Sequence, residues 1–215
     1  MPLYKTINFS RSVGTRTQIL IWKITESYEQ LFEEVQLNEK SLLRLKGMKS
    51  ELHQRAFLSV RKLLQQAGYS DFDLYYDEYG KPHLHDGKHV SISHSHNFSA
   101  LIISDQKAGI DIEMQREKII RIADKFVNNK DSLLLDDTNT QDYIKKLTIK
   151  WGAKEAIFKI RNEKGISFKD HIQVNTFEIE DEKTIAILEI ENIKQQFSIY
   201  FEEFEGFTLV YAFEN

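Results

Sequence analysis

Gly109-Ile110-Asp111-Ile112-Glu113, followed downstream by Trp151-Gly152-Ala153-Lys154-Glu155-Ala156-Ile157-Phe158-Lys159, decides how this chain is read. Along an extended strand, successive side chains point to opposite faces. Ile110 and Ile112 therefore take one face, which can be buried, while Asp111 and Glu113 share the other. In the second run, Ala153, Ala156, Ile157 and Ile160 fall at i, i+3, i+4 and i+7, the spacing of one apolar helix face. On that helix Glu155 and Lys159 are one turn apart and neighbours. Three carboxylates and a cationic arm are thus expected from two distant segments. Oxygen donors of this kind suit magnesium, which takes a few carboxylates, keeps several waters and accepts phosphate oxygens. Taken singly, an acid pair on a strand face is ordinary solvated surface, and a Glu/Lys pair at this spacing is a weak salt bridge. The far side of the helix is not plainly polar, because Trp151 and Phe158 accompany Lys154, Glu155 and Lys159. Two readings of it stand open: a helix between two packed layers, or one with a ligand-facing side.

Working outward, a strand is expected over Gln18–Ile24 and a helix over Ser41–Ala67, ending at Gly68, with Leu52, Leu58, Val60, Leu63 and Leu64 apolar. A turn at Tyr79-Gly80-Lys81-Pro82 precedes strands at His89–Ser93 and Ser99–Ile103. The strand Ala108–Glu113 opens a second section, with helices over Ile119–Val127 and Tyr143–Ile160. Strands at Ile185–Ile190, Gln196–Phe201 and Phe207–Phe213 follow, the last two joined at Glu205-Gly206. The acidic stretch Leu135–Asp142 reads as a solvated loop. Helices alternate with antiparallel hairpins, which predicts an α+β fold of two mixed sections, 1–104 and 105–215, rather than a doubly wound parallel sheet.

Composition bounds the function. The 215 residues are 41% hydrophobic and 29% charged, with two prolines and nine glycines, as in a globular protein. Cysteine is absent, which excludes disulfides, thiolate metal sites and a cysteine nucleophile and makes a cytoplasmic setting the expectation. No apolar run reaches membrane-spanning length and no signal segment is recognisable, so no membrane association is expected. A net charge of −4 argues against a dedicated nucleic-acid binder. His83, His85, His89, His94 and His96 crowd together without the spacing of a zinc site.

In order along the chain, Tyr79-Gly80-Lys81-Pro82, Ser91-Ile92-Ser93-His94-Ser95, Gly109-Ile110-Asp111-Ile112-Glu113 and the Trp151–Lys159 run resemble the motifs of 4′-phosphopantetheinyl transferases of the surfactin-synthetase type. The resemblance implies two similar α+β lobes related by a pseudo-twofold axis, with coenzyme A and magnesium in the cleft between them. It implies transfer of the phosphopantetheine arm of coenzyme A to a serine of an acyl or peptidyl carrier protein, with adenosine 3′,5′-bisphosphate released, by a chain expected to be a monomer. By that likeness Asp111, Glu113 and Glu155 would hold magnesium, and Lys159 would neutralise phosphate charge. Glu155 is the candidate base, with Lys154 as the neighbour to watch. His94 would donate to a phosphate of coenzyme A, with Ser93 adding a hydroxyl, and Tyr79, Gly80, Lys81 and Pro82 would lie along the adenine. Of the basic residues Lys40, Arg44, Lys46, Lys49, Arg55 and Arg61, the likeness points to Lys49 and Arg55 for the 3′-phosphate and leaves most of the others as solvated helix charges. One departure is Lys125-Phe126-Val127-Asn128-Asn129-Lys130-Asp131, which replaces a phenylalanine-rich run with an acid. Two other classes are weighed against this one. A magnesium-dependent phosphodiesterase or nuclease would want a lysine where Gln115 stands. A non-catalytic coenzyme A or carrier-binding module would have no need of every candidate metal ligand.

Overall fold

The computed structural model describes residues 3–9, 15–128 and 139–215. Contacts divide the chain into two compact units, Met1–Gln106 and Lys107–Asn215. Each is α+β with antiparallel strands, the class read from the sequence.

The first unit runs β1 (Leu3–Phe9), β2 (Thr17–Lys23), α1 (Tyr28–Glu33), α2 (Glu39–Gly47), α3 (Glu51–Gln66), β3 (Leu74–Tyr76), β4 (Pro82–Leu84), β5 (His89–Ser95) and β6 (Phe98–Ser104). Its main sheet has the order β1-β2-β6-β5, and β3 and β4 form a separate hairpin. Leu20, Trp22, Leu101 and Ile103 of the sheet share one core with Leu58, Leu63 and Leu64 of α3. The single helix expected over Ser41–Ala67 is in fact two. Gly47 has low helix propensity, Met48 turns extended with its N–H on the Leu45 carbonyl, and Ser50 begins α3 afresh. Leu52 consequently sits in the first turn of a new helix and is 43% exposed.

A buried polar knot fastens α2 to α3. Arg61 Nε donates to Asp71 Oδ1 at 2.9 Å, and Asp71 also accepts from the Asn38 N–H at 2.9 Å and the Ser41 hydroxyl at 3.0 Å. The Arg61 guanidinium lies 3.5 Å from the Phe57 ring centroid. Arg61 is therefore no solvated charge. Its partners replace the water that burial removes.

The second unit runs β7 (Ala108–Met114), α4 (Lys118–Ile122) with a 3₁₀ turn at Ala123–Lys125, α5 (Thr140–Arg161), β8 (Ile172–Val174), β9 (Lys183–Ile190), β10 (Ile193–Phe204) and β11 (Phe207–Glu214). All five strands are antiparallel in the order β7-β11-β10-β9-β8. The helix expected over Ile119–Val127 is only α4 and the 3₁₀ turn. Residues 129–138, which include Asp131 and half of the acidic stretch 135–142, lie outside the described residues. Of that stretch, Asn139 caps α5 through the Gln141 N–H, and residues 140–142 belong to the helix itself. Ile149, Ala153, Ala156, Ile157 and Ile160 bury one side of α5 against Phe197, Ile199, Val210 and Ala212. No helix among the described residues is long and apolar enough to cross a membrane.

Candidate active site

Two glycines let α5 lie directly on β7 and β11. A side chain at Gly109 would run into the Ala156 carbonyl, and one at Gly152 would meet Val210 at 2.7 Å. The same absent methyl at Gly152 stands 3.6 Å from Asp111 Oδ2, so the helix roofs that carboxylate closely. Asp111 pairs across the sheet with Val210, which is part of the core under α5, and is 4% exposed. Alternation along β7 therefore works as the sequence indicates, with Asp111 and Glu113 on one face and the fully buried Ile110 and Ile112 on the other. What differs is the acidic face: for Asp111 it is covered by α5 rather than open to solvent.

Lys159 reaches back from α5 to this strand. Its ammonium donates to Asp111 Oδ1 at 2.8 Å and to the Ile110 carbonyl at 2.9 Å. One turn earlier, Glu155 is half-buried, and its carboxyl is pushed up to about 7. Burial is the largest cause and the Asp111 charge the next; Lys159 opposes the shift and Glu113 adds to it. Asp111, Glu113, Glu155 and Lys159 thus form one electrostatically coupled group.

Among the described residues, no three His, Cys, Asp or Glu side chains are gathered into a ready-made metal cage. The donor chemistry of this group nevertheless fits magnesium, which is held by one or two carboxylates, waters and substrate phosphates rather than by a dedicated all-protein cage. Beyond burial, the charges of Asp111 and Glu113 add to the rise at Glu155, and that repulsion is what a cation would relieve.

Lys154 does not join that group. Its side chain is wholly buried, and its ammonium donates to the carbonyls of Phe126 at 2.6 Å and Phe168 at 2.7 Å. Although next to Glu155 in sequence, it ties two flanking segments to the helix instead of facing the acids. Above it Trp151 packs on Phe126 and Phe168, with ring centroids 5.2 and 5.5 Å apart, and Phe158 packs on Phe168 at 5.7 Å. At Trp151, Lys154 and Phe158 the far side of α5 is therefore packed against an aromatic layer, while Glu155 and Lys159 face the acids of β7.

In the first unit the candidate residues take varied positions. Arg55 is anchored on main-chain carbonyls, donating to Glu26 at 2.8 Å and Ile24 at 3.4 Å. Lys49 is exposed in the break between α2 and α3, and Arg44 lies over the Phe57 and Tyr76 rings. Ser93 and His94, expected to act together, point to opposite faces of β5 because they are adjacent on a strand. Ser93 is 8% exposed, whereas His94 is exposed with its ring 6.2 Å from that of His53.

The turn from Tyr79 to Pro82 is organised by Asp77, a residue the sequence reading passed over. Asp77 Oδ1 accepts from the Tyr79 and Lys81 N–H groups, both at 2.9 Å, and Gly80 takes φ +81 at the sharpest point. His83 Nε2 donates to Asp77 Oδ2 at 3.0 Å. An aspartate shortly before a Gly-Lys-Pro turn is the signal that would have found it, since such side chains bond their own backbone a few residues on.

Residues 107–212 match the family model described as the 4′-phosphopantetheinyl transferase superfamily. A curated relative, the 4′-phosphopantetheinyl transferase gsp of Aneurinibacillus migulanus, is 32% identical over 132 residues, covering 61% of this chain and 54% of that protein. The match thus spans about half the length of the relative. Both findings bear out the likeness read from the motifs.

Proposed function

We propose that this protein transfers the 4′-phosphopantetheine group of coenzyme A to a serine of an acyl or peptidyl carrier protein, in a magnesium-dependent reaction. The observation that carries the reading is the coupled set Asp111, Glu113, Glu155 and Lys159, which lies within the stretch that matches the superfamily. In this reaction the serine oxygen bonds to the β-phosphorus of the pyrophosphate, and the bond from that phosphorus to the bridging oxygen breaks. Adenosine 3′,5′-bisphosphate leaves with the electron pair. Asp111, Glu113 and Glu155 would hold magnesium, whose chemistry here is Lewis-acid charge and a template for the pyrophosphate oxygens.

The other roles fall to the chain's own groups. Lys159, aimed at β7 by its bond to the Ile110 carbonyl, offsets phosphate charge. Glu155 is the acceptor for the serine proton, because a carboxyl held near neutrality can both take and hold one. Lys154 anchors the aromatic layer and touches no reactant. For the first unit, the reading assigns the phosphates of coenzyme A to His94, Lys49 and the fixed Arg55, and its adenine to the Tyr79–Pro82 turn. A cytoplasmic monomer is part of the same reading.

The phosphodiesterase alternative is disfavoured by Gln115, whose amide donates to Glu203 and Thr208, both at 3.0 Å, and brings no cation to β7. The test is direct. Purified protein, magnesium, coenzyme A and an apo carrier protein are combined, and the carrier is weighed by mass spectrometry. A gain of one phosphopantetheine group is expected, and its loss on adding a chelator. A carrier of unchanged mass would refute the proposal.

A further inference from the structure

On the face of the second sheet that meets α5, three side chains stand in a row across three strands. Glu113 of β7 is opposite Thr208 of β11, and Thr208 is opposite Glu203 of β10. Directly opposed side chains on one face have their β-carbons roughly 5 Å apart. Thr208 therefore lies between two carboxylates, and at 1% exposure it is sheltered from water.

Gln115 sets the direction in which the Thr208 hydroxyl points. It follows Glu113 by two residues and shares its face, and its N–H is bonded to the Gly206 carbonyl of the β10–β11 turn at 2.9 Å. Its side-chain amide nitrogen donates to Glu203 Oε1 and to Thr208 Oγ1, both at 3.0 Å. An ionised carboxylate can only accept, so the nitrogen of the amide, and not its oxygen, faces Glu203. One hydrogen of that nitrogen goes to Glu203 and the other occupies a lone pair of Thr208, whose own proton is left to be given elsewhere. Among the described residues the hydroxyl donates to no other acceptor. Glu203 is already served on both oxygens, Oε1 by Gln115 and Oε2 by the Lys145 ammonium at 3.4 Å. The carboxylate that remains beside Thr208 is Glu113.

We infer that Thr208 is a positioning residue: its hydroxyl donates to the Glu113 carboxylate and holds it in the orientation that receives a divalent cation, with Gln115 fixing the polarity of the contact. The inference rests on the proposed function, in which Glu113 is a magnesium ligand. A ligating carboxylate with a donor on its outer oxygen is kept from swinging away from the cation, and such outer partners commonly govern metal affinity by about 10–100-fold. Thr208 acts through Glu113 and not on a reactant.

The experiment titrates magnesium into metal-free protein with coenzyme A present and carrier absent, so that no transfer occurs, and follows the rise in Tm. Thr208→Val keeps the shape of the side chain and removes the hydroxyl. The magnesium concentration at half-maximal shift is expected to rise about ten-fold in this variant. Thr208→Ser keeps the hydroxyl and is expected to match the wild-type protein. Gln115→Met lets the hydroxyl turn and is expected to fall between Thr208→Val and wild type; it carries the test should Thr208→Val fail to fold. In the transfer assay the half-saturating magnesium of Thr208→Val is expected to rise by the same factor, while the KM for coenzyme A at saturating magnesium stays unchanged. A lowered Tm of metal-free Thr208→Val with an unmoved magnesium midpoint would make Thr208 a packing residue only and overturn the inference. A serine variant that behaves like the valine variant, or an unmoved midpoint in Gln115→Met, would overturn it as well, and in each case the transferase reading would stand. A wild-type protein that neither responds to magnesium nor transfers would overturn that reading and this inference together.

Discussion

Burial and two neighbouring carboxylates hold the Glu155 carboxyl near 7, against an ordinary value of 4.5. The linkage follows from which state binds the proton. Between the two values the folded protein keeps a proton that the unfolded chain has released, so metal-free protein loses stability as pH rises through this window. At about 1.4 kcal/mol per unit the loss is at most about 3 kcal/mol, and less because solvent screens a half-buried group. Urea denaturation of chelator-treated protein at pH 5 and pH 8 is expected to show this fall, and Glu155→Gln is expected to flatten it. Identical slopes in both proteins would mean that the carboxyl is not held as described. In the transfer assay the same variant is expected to lose on the order of 10²-fold or more in kcat/KM. Lys154 gives the opposite pattern. Lys154→Ala leaves two buried carbonyls without their donor and opens a void beneath Trp151, for an expected loss of about 2–4 kcal/mol. Thermal melting measures it, and an unshifted Tm would show the ammonium to be dispensable to the fold.

The contact between α5 and β7 is the joint on which the acidic group depends, and it is set by two residues without side chains. Gly109→Ala is expected to push the helix off the strand at an overpacking cost of about 1–3 kcal/mol and to slow transfer, since Lys159 and Glu155 move with the helix. A crystal structure of the variant with the 2.8 Å Lys159–Asp111 contact intact would contradict this. At this scale the sequence was legible in part. Alternation in β7 and the i, i+3, i+4 pattern of α5 disclosed both elements, because each buries a face whose period is written in its residues. The break between α2 and α3 was less visible, because the apolar positions on either side of Gly47 continue without a gap. Strands β1, β3, β4 and β8 and helix α1 went unread, being short, edge-lying or irregular in pattern. The bonding partners of Lys154, Arg55 and Arg61 could not be read at all. Charge announces itself in a sequence, but only folding shows that the partner is a carbonyl or a buried aspartate.

For the molecule as a whole, each unit has a core of its own: Leu58, Leu63, Leu101 and their neighbours in one, Ile149, Phe197, Val210 and theirs in the other. In the first, the Arg61–Asp71 knot joins segments that the hydrophobic pattern alone would leave loosely registered. Asp71→Ala strands a buried guanidinium, and equilibrium denaturation is expected to show a loss of about 3–5 kcal/mol. A loss below 1 kcal/mol would place the pair among ordinary surface salt bridges.

In the second unit, β7 stands at the border of its sheet and, among the described residues, takes its ladder from β11 alone, with Asp111 opposite Val210 and Glu113 opposite Thr208. These strands lie far apart in the order of translation. A nascent polypeptide that has exposed Asp111 and Glu113, and even all of α5, still lacks the strand that pairs with β7 until β11 emerges from the ribosome. Products that stop short of Phe207 would carry Asp111, Glu113 and Glu155 without the ladder that aligns the first two.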